Sequence, residues 1–252
     1  MYILKIYRHI LNKTIKNMRK LNLLIIHLII LTSNAYTQTV AIGKQVWSTK
    51  NLDVSTFRNG DPIPEAKTSE EWNKATKKCR PVWCYNQNNP IYGSKYGKLY
   101  NWYAVNDPRG IAPEGFHVPS SIEWNEMIEF LGGAEKCALE IRESKGWKQS
   151  AGMIAMLGSR ALNHDYNGNN KSGFSALPAG YRSHGSTFHE PGDNIAYWWT
   201  STDDTKDKAW YVTFKFMIRN YENNYSEDFE ELIIDREDGK KDMGYSIRCL
   251  KD

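Results

Sequence analysis

The sequence lacks the short motifs that mark most metal centres and hydrolytic sites. Its four cysteines form no CxxC pair, and none of its histidines stands in an HExxH arrangement. The segment GYRSHGS is not a GxSxG nucleophile motif, because Gly180 precedes Ser183 by three positions rather than two. Carboxylates are plentiful, but no pair is set apart as a general acid and its partner. We therefore expect that the protein is not an enzyme.

Long apolar runs are scarce as well. The run LNLLIIHLIIL at residues 21–31 falls well short of the about 20 residues that a membrane-spanning helix needs. Residues 1–20 carry basic side chains and no acid, and the small-residue segment TSNA follows the run. This order predicts a cleavable secretory signal over residues 1–35, with Met1 or Met18 as the start. We expect a secreted, periplasmic or outer-surface protein with no stable membrane span after cleavage.

The exported part, residues 36–252, is close to neutral. Six of the 33 basic residues fall in the leader, which leaves 27 basic against 29 acidic residues. A chain without a strong basic field has no electrostatic affinity for nucleic acid, so we expect no nucleic-acid partner. Its length is typical of one domain.

All the cysteines lie in this exported part: Cys79, Cys84, Cys137 and Cys249. An even number of cysteines in an oxidising compartment predicts two disulfides, for which three connectivities are possible. A metal site is the alternative interpretation, but no cysteine has a histidine at zinc-ligand spacing.

The first half of the exported part carries helix and hairpin signals. Gly43 and Lys44 stand between two short apolar arms, which predicts a hairpin with a two-residue turn. Thr68 and Glu71 have the spacing of a capping box and predict a helix start.

A second helix is predicted to start at Ser120, where Glu123 completes a capping box, and to end at the glycine pair GG. Its apolar residues are expected to share one buried face: Ile122, Met127, Ile128 and Leu131.

The second half consists of short β-branched and aromatic runs separated by polar turns, which predicts strands. Helices followed by a strand meander indicate an α+β fold with an antiparallel sheet. In the aromatic stretch at residues 99–124, we expect Trp102, Phe116 and Trp124 to belong to the core, because large aromatic rings are buried more often than they form sites.

Six segments resemble, in this order, the Fibrobacter succinogenes major paralogous domain: QVWSTKNLDVSTFRNGDPIPEA, WCYNQN, YGKLYNWYAVNDPRGIAPEGFHVPSSIEW, SGFSALPAGYR, YWWTSTD and GYSIRCLKD. The resemblance covers about Val40 to Asp252 and implies an extracytoplasmic domain. It also implies a C-type-lectin-like fold, with early helices packed on a twisted antiparallel sheet with long loops. That fold resembles the one found in the formylglycine-generating sulfatase-modifying enzymes.

The resemblance also bears on the cysteines. Cys84 and Cys249 match family positions and are expected to be oxidised, although their partners stay open. Cys79 and Cys137 are additions relative to the family pattern.

One segment is a candidate calcium loop. DYNGNN places Asp165, Asn167 and Asn169 at alternate positions, as oxygen-ligand loops do. It lacks the glycine and the acid that an EF-hand requires, and Asp, Asn and Gly are also ordinary turn residues. Calcium is therefore the one cofactor considered, and otherwise none is expected.

A ligand surface is predicted around the strand AYWWTSTD. Because neighbouring strand residues point to opposite faces, either Trp198 or Trp199 is a candidate stacking platform. Tyr181 and Arg182 leave the preceding strand in the same region. The nearby HEPGDN segment adds polar candidates and superficially resembles the Glu-Pro-Asn motif of true C-type lectins: Glu190, Asp193 and Asn194.

Taken together, these features predict a binding or adhesion module of the cell envelope whose ligand is a glycan or a surface protein. Two alternatives stay open. The first is a structural subunit of a surface appendage, joined through an exposed sheet edge. The second is an oxidase of the sulfatase-modifying type, which would need a free thiol.

Overall fold

The computed structural model describes residues 38–148, 154–155, 165–185, 187–192, 195–220 and 226–252, together with Met18. Residues 38–252 form one compact unit. The predicted secretory leader, Met18 apart, lies outside the described residues. Within the described residues, no helix combines the length and the apolar character needed to cross a membrane.

Helices precede most of the strands along the chain. The helices are α1 (Ser69–Thr76), α2 (Gly93–Tyr96), α3 (Trp102–Val105), α4 (Ser121–Phe130) and α5 (Ala134–Ile141), with 3₁₀ turns at Asn86–Asn88 and Pro90–Tyr92. The early strands are β1 (Thr39–Ile42), β2 (Gln45–Ser48), β3 (Trp83–Cys84), β4 (Leu99–Tyr100) and β5 (Phe116–His117). The later strands are β6 (Tyr181–Arg182), β7 (Phe188–His189), β8 (Tyr197–Asp203), β9 (Ala209–Asn220), β10 (Ser226–Asp235) and β11 (Leu250–Lys251).

The strands form antiparallel sheets. The longest strands build a three-stranded sheet in the order β10-β9-β8, and a four-stranded sheet has the order β1-β2-β11-β5. Two smaller pairs, β3 with β4 and β6 with β7, complete the arrangement. The predicted α+β class with antiparallel sheets is confirmed.

The predicted N-terminal hairpin is present. Ile42 pairs with Gln45 across a two-residue turn. Gly43 has a φ of 62°, a conformation that side chains disfavour. A Cβ at this position would also lie 2.9 Å from the ring of Phe130. Glycine is therefore required by both the turn and the helix packed over it.

Both predicted capping boxes are present. The backbone N–H of Glu71 donates to the Thr68 hydroxyl, and the Glu71 carboxylate accepts from the Thr68 N–H. Ser120 and Glu123 make the same exchange at the start of α4. These contacts satisfy backbone donors that a helix start leaves unpaired.

The buried face of α4 differs from the predicted one at a single residue. Met127, Ile128 and Leu131 are buried, and Trp124 joins them, but Ile122 is 70% exposed. Ile122 precedes Trp124 by two positions, which is about 200° around a helix, so the two side chains point in opposite directions. The prediction for Ile122 was wrong.

The three-stranded sheet separates two apolar clusters. The first, cluster A, contains Trp47, Trp124, Phe174 and Trp198, and the second, cluster B, contains Trp102, Phe116, Trp199 and Tyr245, each with further apolar residues. The expectation that Trp102, Phe116 and Trp124 are core residues is confirmed. A smaller cluster C forms under α1 around Trp72 and Leu99.

The two predicted disulfides are absent, and this prediction was wrong. All four cysteines are free thiols. Cys137 is buried in cluster A, Cys249 in cluster B and Cys84 in cluster C, whereas Cys79 is exposed. Each buried thiol fills space in a different apolar cluster, as small hydrophobic side chains do.

The packing of α4 can be tested by substituting Trp124. Trp124→Ala removes a fully buried ring and should lower the free energy of unfolding by about 3–5 kcal/mol. Ile122→Ala on the same helix removes an exposed side chain and should change it by no more than about 0.5 kcal/mol. Chemical denaturation measures both. Similar losses from the two variants would contradict the orientation of α4.

A histidine joins three elements at one end of the four-stranded sheet. His117 in β5 contacts Asp252 through Nδ1 at 2.7 Å and Glu123 through Nε2 at 2.9 Å. Partial burial disfavours the charged ring, but these carboxylates outweigh it and raise the pKa of His117 above its usual value. Burial likewise opposes ionisation of Glu123, yet hydrogen bonds from Ser120 and His117 lower its pKa overall.

This contact predicts a pH-dependent stability. A raised histidine pKa contributes stability below the unfolded pKa of about 6.5, and the contribution is lost as pH rises through the folded pKa. The lowered pKa of Glu123 adds stability above about pH 4.3 that is lost in more acidic solution. His117→Gln should therefore lower Tm most between about pH 4.5 and 6.5. An equal Tm difference at pH 5.5 and pH 8.5 would refute this role.

Candidate functional site

A cleft of about 660 Å³ opens beside α1. Its lining comes from α1 and the residue after it, from α3, and from three loops: Asn73, Thr76, Lys77, Tyr103, His184, Gly185, Asp207, Lys208, Lys240 and Asp242. We call this feature the α1 cleft.

Helix α1 is held in place by a buried tryptophan. The indole N–H of Trp72 donates to the backbone oxygen of Asp242 at 2.9 Å. The guanidinium of Arg182 lies 4.6 Å from the centre of the Trp72 ring. Gly244 permits this packing, because a Cβ there would lie 2.9 Å from Arg182 and 3.1 Å from Trp72. One wall of the cleft is therefore fixed by core contacts.

His184 and Asp242 form a pair in the cleft. Nδ1 of His184 contacts Oδ2 of Asp242 at 2.5 Å. The other carboxylate oxygen, Oδ1, is buried and has no hydrogen-bond partner among the described residues. The pair thus fixes the orientation of the imidazole in the cleft.

Tyr103 supplies the aromatic surface of the cleft. Burial raises the pKa of its hydroxyl, and a hydrogen bond with the Cys79 thiol adds to this effect. The phenol therefore stays protonated in neutral solution and can donate or accept a hydrogen bond. Cys79 is itself exposed, with a φ of 51°.

Three ammonium groups and two carboxylates line the α1 cleft. Nζ of Lys208 donates to the backbone oxygen of Glu237 at 2.7 Å. Lys77 and Lys240 are exposed and form no ion pair with any described residue. A concave site with one aromatic ring and convergent donors and acceptors can hold a small polar ligand.

The comparisons with known proteins identify the family. The family model for the Fibrobacter succinogenes major domain matches residues 40–251. The chain belongs to this family. No curated protein matches the chain, and no solved structure matches it. The resemblance inferred from the sequence motifs is thus confirmed for the Fibrobacter succinogenes major domain.

In this domain the tryptophan pair of β8 is not a ligand platform. Trp198 and Trp199 are both 0% exposed. They do point to opposite faces, as expected for a strand. Cluster A covers one face and cluster B the other, so neither ring reaches solvent. The prediction of a stacking platform was wrong because the sheet is buried on both sides.

Arg182 is also a core residue rather than a ligand contact. It is fully buried and donates to Oδ1 of Asn88 and to the backbone oxygen of Thr68. Tyr181 is half-buried, and its ring stacks on His189 with centroids 4.1 Å apart. The prediction for Arg182 was wrong, and one face of the Tyr181 ring is already covered.

The other predicted ligand residues are only partly described. Glu190 is exposed and does not line the α1 cleft. Asp193 and Asn194 lie outside the described residues.

The side-chain oxygens of the candidate calcium loop accept hydrogen bonds from backbone N–H groups of the protein. Oδ1 of Asp165 accepts from the backbone N–H of Asn167, Oδ1 of Asn167 from that of Trp147, and Oδ1 of Asn169 from that of Lys171. Among the described residues, no group of three or more His, Cys, Asp or Glu side chains could hold a metal ion. The contacts of Asp165 and Asn169 are typical of Asx turns, whereas that of Asn167 joins the loop to a distant segment, and calcium there stays a prediction.

The sequence offered little indication of the α1 cleft. Tyr103 and Asp242 are 139 positions apart, and His184 belongs to no motif. One signal was present: between Glu71 and Asp107 the chain has no acidic residue. That charge asymmetry marks one wall of the cleft.

The cysteine assignment can be tested by thiol titration. In the native protein, we expect one fast-reacting thiol, Cys79, because burial raises the pKa of the others, to about 11 for Cys84 and about 12 for Cys137 and Cys249. Four thiols should react after denaturation without reductant. Cys79→Ser should remove the fast reaction, and fewer than four thiols in the denatured wild type would contradict the assignment.

Proposed function

We propose that the protein is an exported, non-catalytic binding module of the cell envelope and that it recognises a glycan through the α1 cleft. The observation that carries this proposal is the cleft itself, in which an aromatic ring faces several polar side chains on a rigid wall. The secretory leader inferred from the sequence supports the location.

The lining suits a sugar. Tyr103 offers a large apolar ring that a sugar face can cover. Planar polar groups of Asn73, His184, Asp207 and Asp242 can bond to hydroxyls that project from the edge of the sugar. A protein ligand is the next candidate, because the same groups can bind a polar loop.

A C-type-lectin-like fold belongs to the same proposal. Its support is the resemblance of the sequence motifs, together with the early helices and antiparallel sheets of the domain. In addition, β2 pairs with β11, which brings an N-terminal and a C-terminal strand side by side.

An oxidase of the sulfatase-modifying type is a weaker candidate. Such an enzyme would need a reactive thiol near the terminal strand. Cys249 precedes β11 but is fully buried, and burial raises the pKa of its thiol to about 12. The thiol is therefore both inaccessible and protonated at neutral pH.

A subunit of a surface appendage is the second candidate function. Strand β10 stands at one end of the order β10-β9-β8, so one of its edges has no partner strand among the described residues. A second chain could add a strand at this edge. Assembly that grows with protein concentration, measured by light scattering without added ligand, would favour this candidate.

The glycan proposal predicts binding that depends on Tyr103. On a glycan array, the wild-type protein should bind a defined set of saccharides. Tyr103→Ala should weaken binding about fivefold to a hundredfold, because stacking of a planar ligand on an aromatic ring contributes on the order of 1–3 kcal/mol in the case of nucleic-acid bases. Tyr92→Ala is the matched control, since Tyr92 is a half-buried tyrosine that does not line the cleft.

A parallel array with chelator tests the calcium loop. If chelator abolishes binding, the result would indicate that the glycan binds at residues 165–169 rather than in the α1 cleft. A blank array from folded protein would refute the glycan proposal.

A further inference from the structure

We infer that the ligand of the α1 cleft is an acidic saccharide, a sugar that carries one carboxylate or sulfate group beside its hydroxyls. This inference rests on the proposed function and names the class of glycan. It follows from the distribution of charge around the cleft, which differs from that of the chain as a whole.

The wall of the cleft that α1 and α3 form carries a lysine and no acid. The 35 residues from 72 to 106 contain no acid, although the exported chain as a whole has slightly more acidic than basic residues. Four basic residues are exposed at the end of α1 and just after it, of which Lys77 lines the α1 cleft, whereas Lys74, Lys78 and Arg80 line a separate pocket. The lining as a whole has three lysines against two aspartates, and this positive excess favours an anionic ligand.

Two ammonium groups converge on the cleft from separate elements. Lys77 follows α1, and Lys240 lies in the loop between β10 and β11. Neither has a carboxylate partner among the described residues. A lysine at the end of a helix also complements the helix dipole. This effect can explain the position of Lys77 but not that of Lys240. No helix ends at Lys240, so the dipole does not explain why a second cation lines the same cleft.

The acidic residues of the cleft favour an acidic sugar over an acidic peptide as the ligand. Asp207 is exposed in the lining, and Oδ2 of Asp242 contacts His184 there. These carboxylates would repel the successive acids of a peptide but can accept hydrogen bonds from hydroxyl groups. A sugar with a single anionic group can therefore place its charge near Lys77 and Lys240 and its hydroxyls near Asp207 and Asp242.

The test compares two forms of one monosaccharide. The purified protein is titrated calorimetrically with the methyl glycoside of galacturonic acid, which has a single carboxylate, and with its methyl ester, which keeps the hydroxyls and removes the charge. We expect the acid to bind at least about tenfold more tightly than the ester, and its binding to weaken as salt rises.

The lysines are tested by the double variant Lys77→Gln/Lys240→Gln. It should lose most of the preference for the acid while its affinity for the ester stays unchanged. Lys95→Gln is the matched control, because Lys95 is an exposed lysine of the same acid-free segment that does not line the cleft. A double variant that keeps the preference for the acid would overturn the inference.

The remaining outcomes separate this inference from the proposed function. Equal binding of acid and ester by the wild type would overturn the inference and leave glycan binding standing. Tighter binding of hexaglutamate than of the galacturonate glycoside would overturn it in favour of an acidic peptide. Failure of both sugars here, together with a blank glycan array, would refute the proposed function as well.

Discussion

The fold depends on burying two adjacent tryptophans on opposite faces of one strand. Trp198 and Trp199 each need an apolar cluster around the ring and a polar partner for the indole N–H. Trp198 donates to Oδ1 of Asn51 at 3.0 Å, and Trp199 to the backbone oxygen of Tyr100 at 2.8 Å. These partners come from distant parts of the chain. The requirement to satisfy both indoles thus sets where the first half of the chain meets the sheet.

Buried arginines serve as polar connectors between loops. The guanidinium of Arg248 donates to Oδ1 of Asn51 and to three backbone oxygens, those of Ser48, Phe174 and Ser175. Burial lowers its pKa to about 9, which still leaves it charged at neutral pH. Arg142 differs, because it pairs with the buried carboxylate of Glu230. Five fixed donors allow one side chain to join several segments that are far apart in sequence.

Turns and helix starts could be predicted from the sequence, whereas which faces of the strands are buried could not. The turn at Gly43 and the capping box at Ser120 depend on a few neighbouring residues, so the sequence determines them directly. The burial of both Trp198 and Trp199 depends on what covers each side of β8, which strand alternation cannot show. The prediction of two disulfides failed for a similar reason. An even number of cysteines permits pairing, but three of the four lie in different apolar clusters. The α1 cleft brings together residues far apart in sequence, and only the absence of acids along one wall hinted at its character.

The pairing of β2 with β11 has a consequence for the order of folding. Trp47 lies opposite Leu250, and Cys249 donates its backbone N–H to the Ser48 hydroxyl, some 200 positions earlier. Contacts of such high sequence separation close late, because the entropy of the intervening loop must be lost first. A growing chain cannot form them until Cys249 and Leu250 have been synthesised. For about 200 residues of synthesis, β2 therefore lacks its partner strand β11.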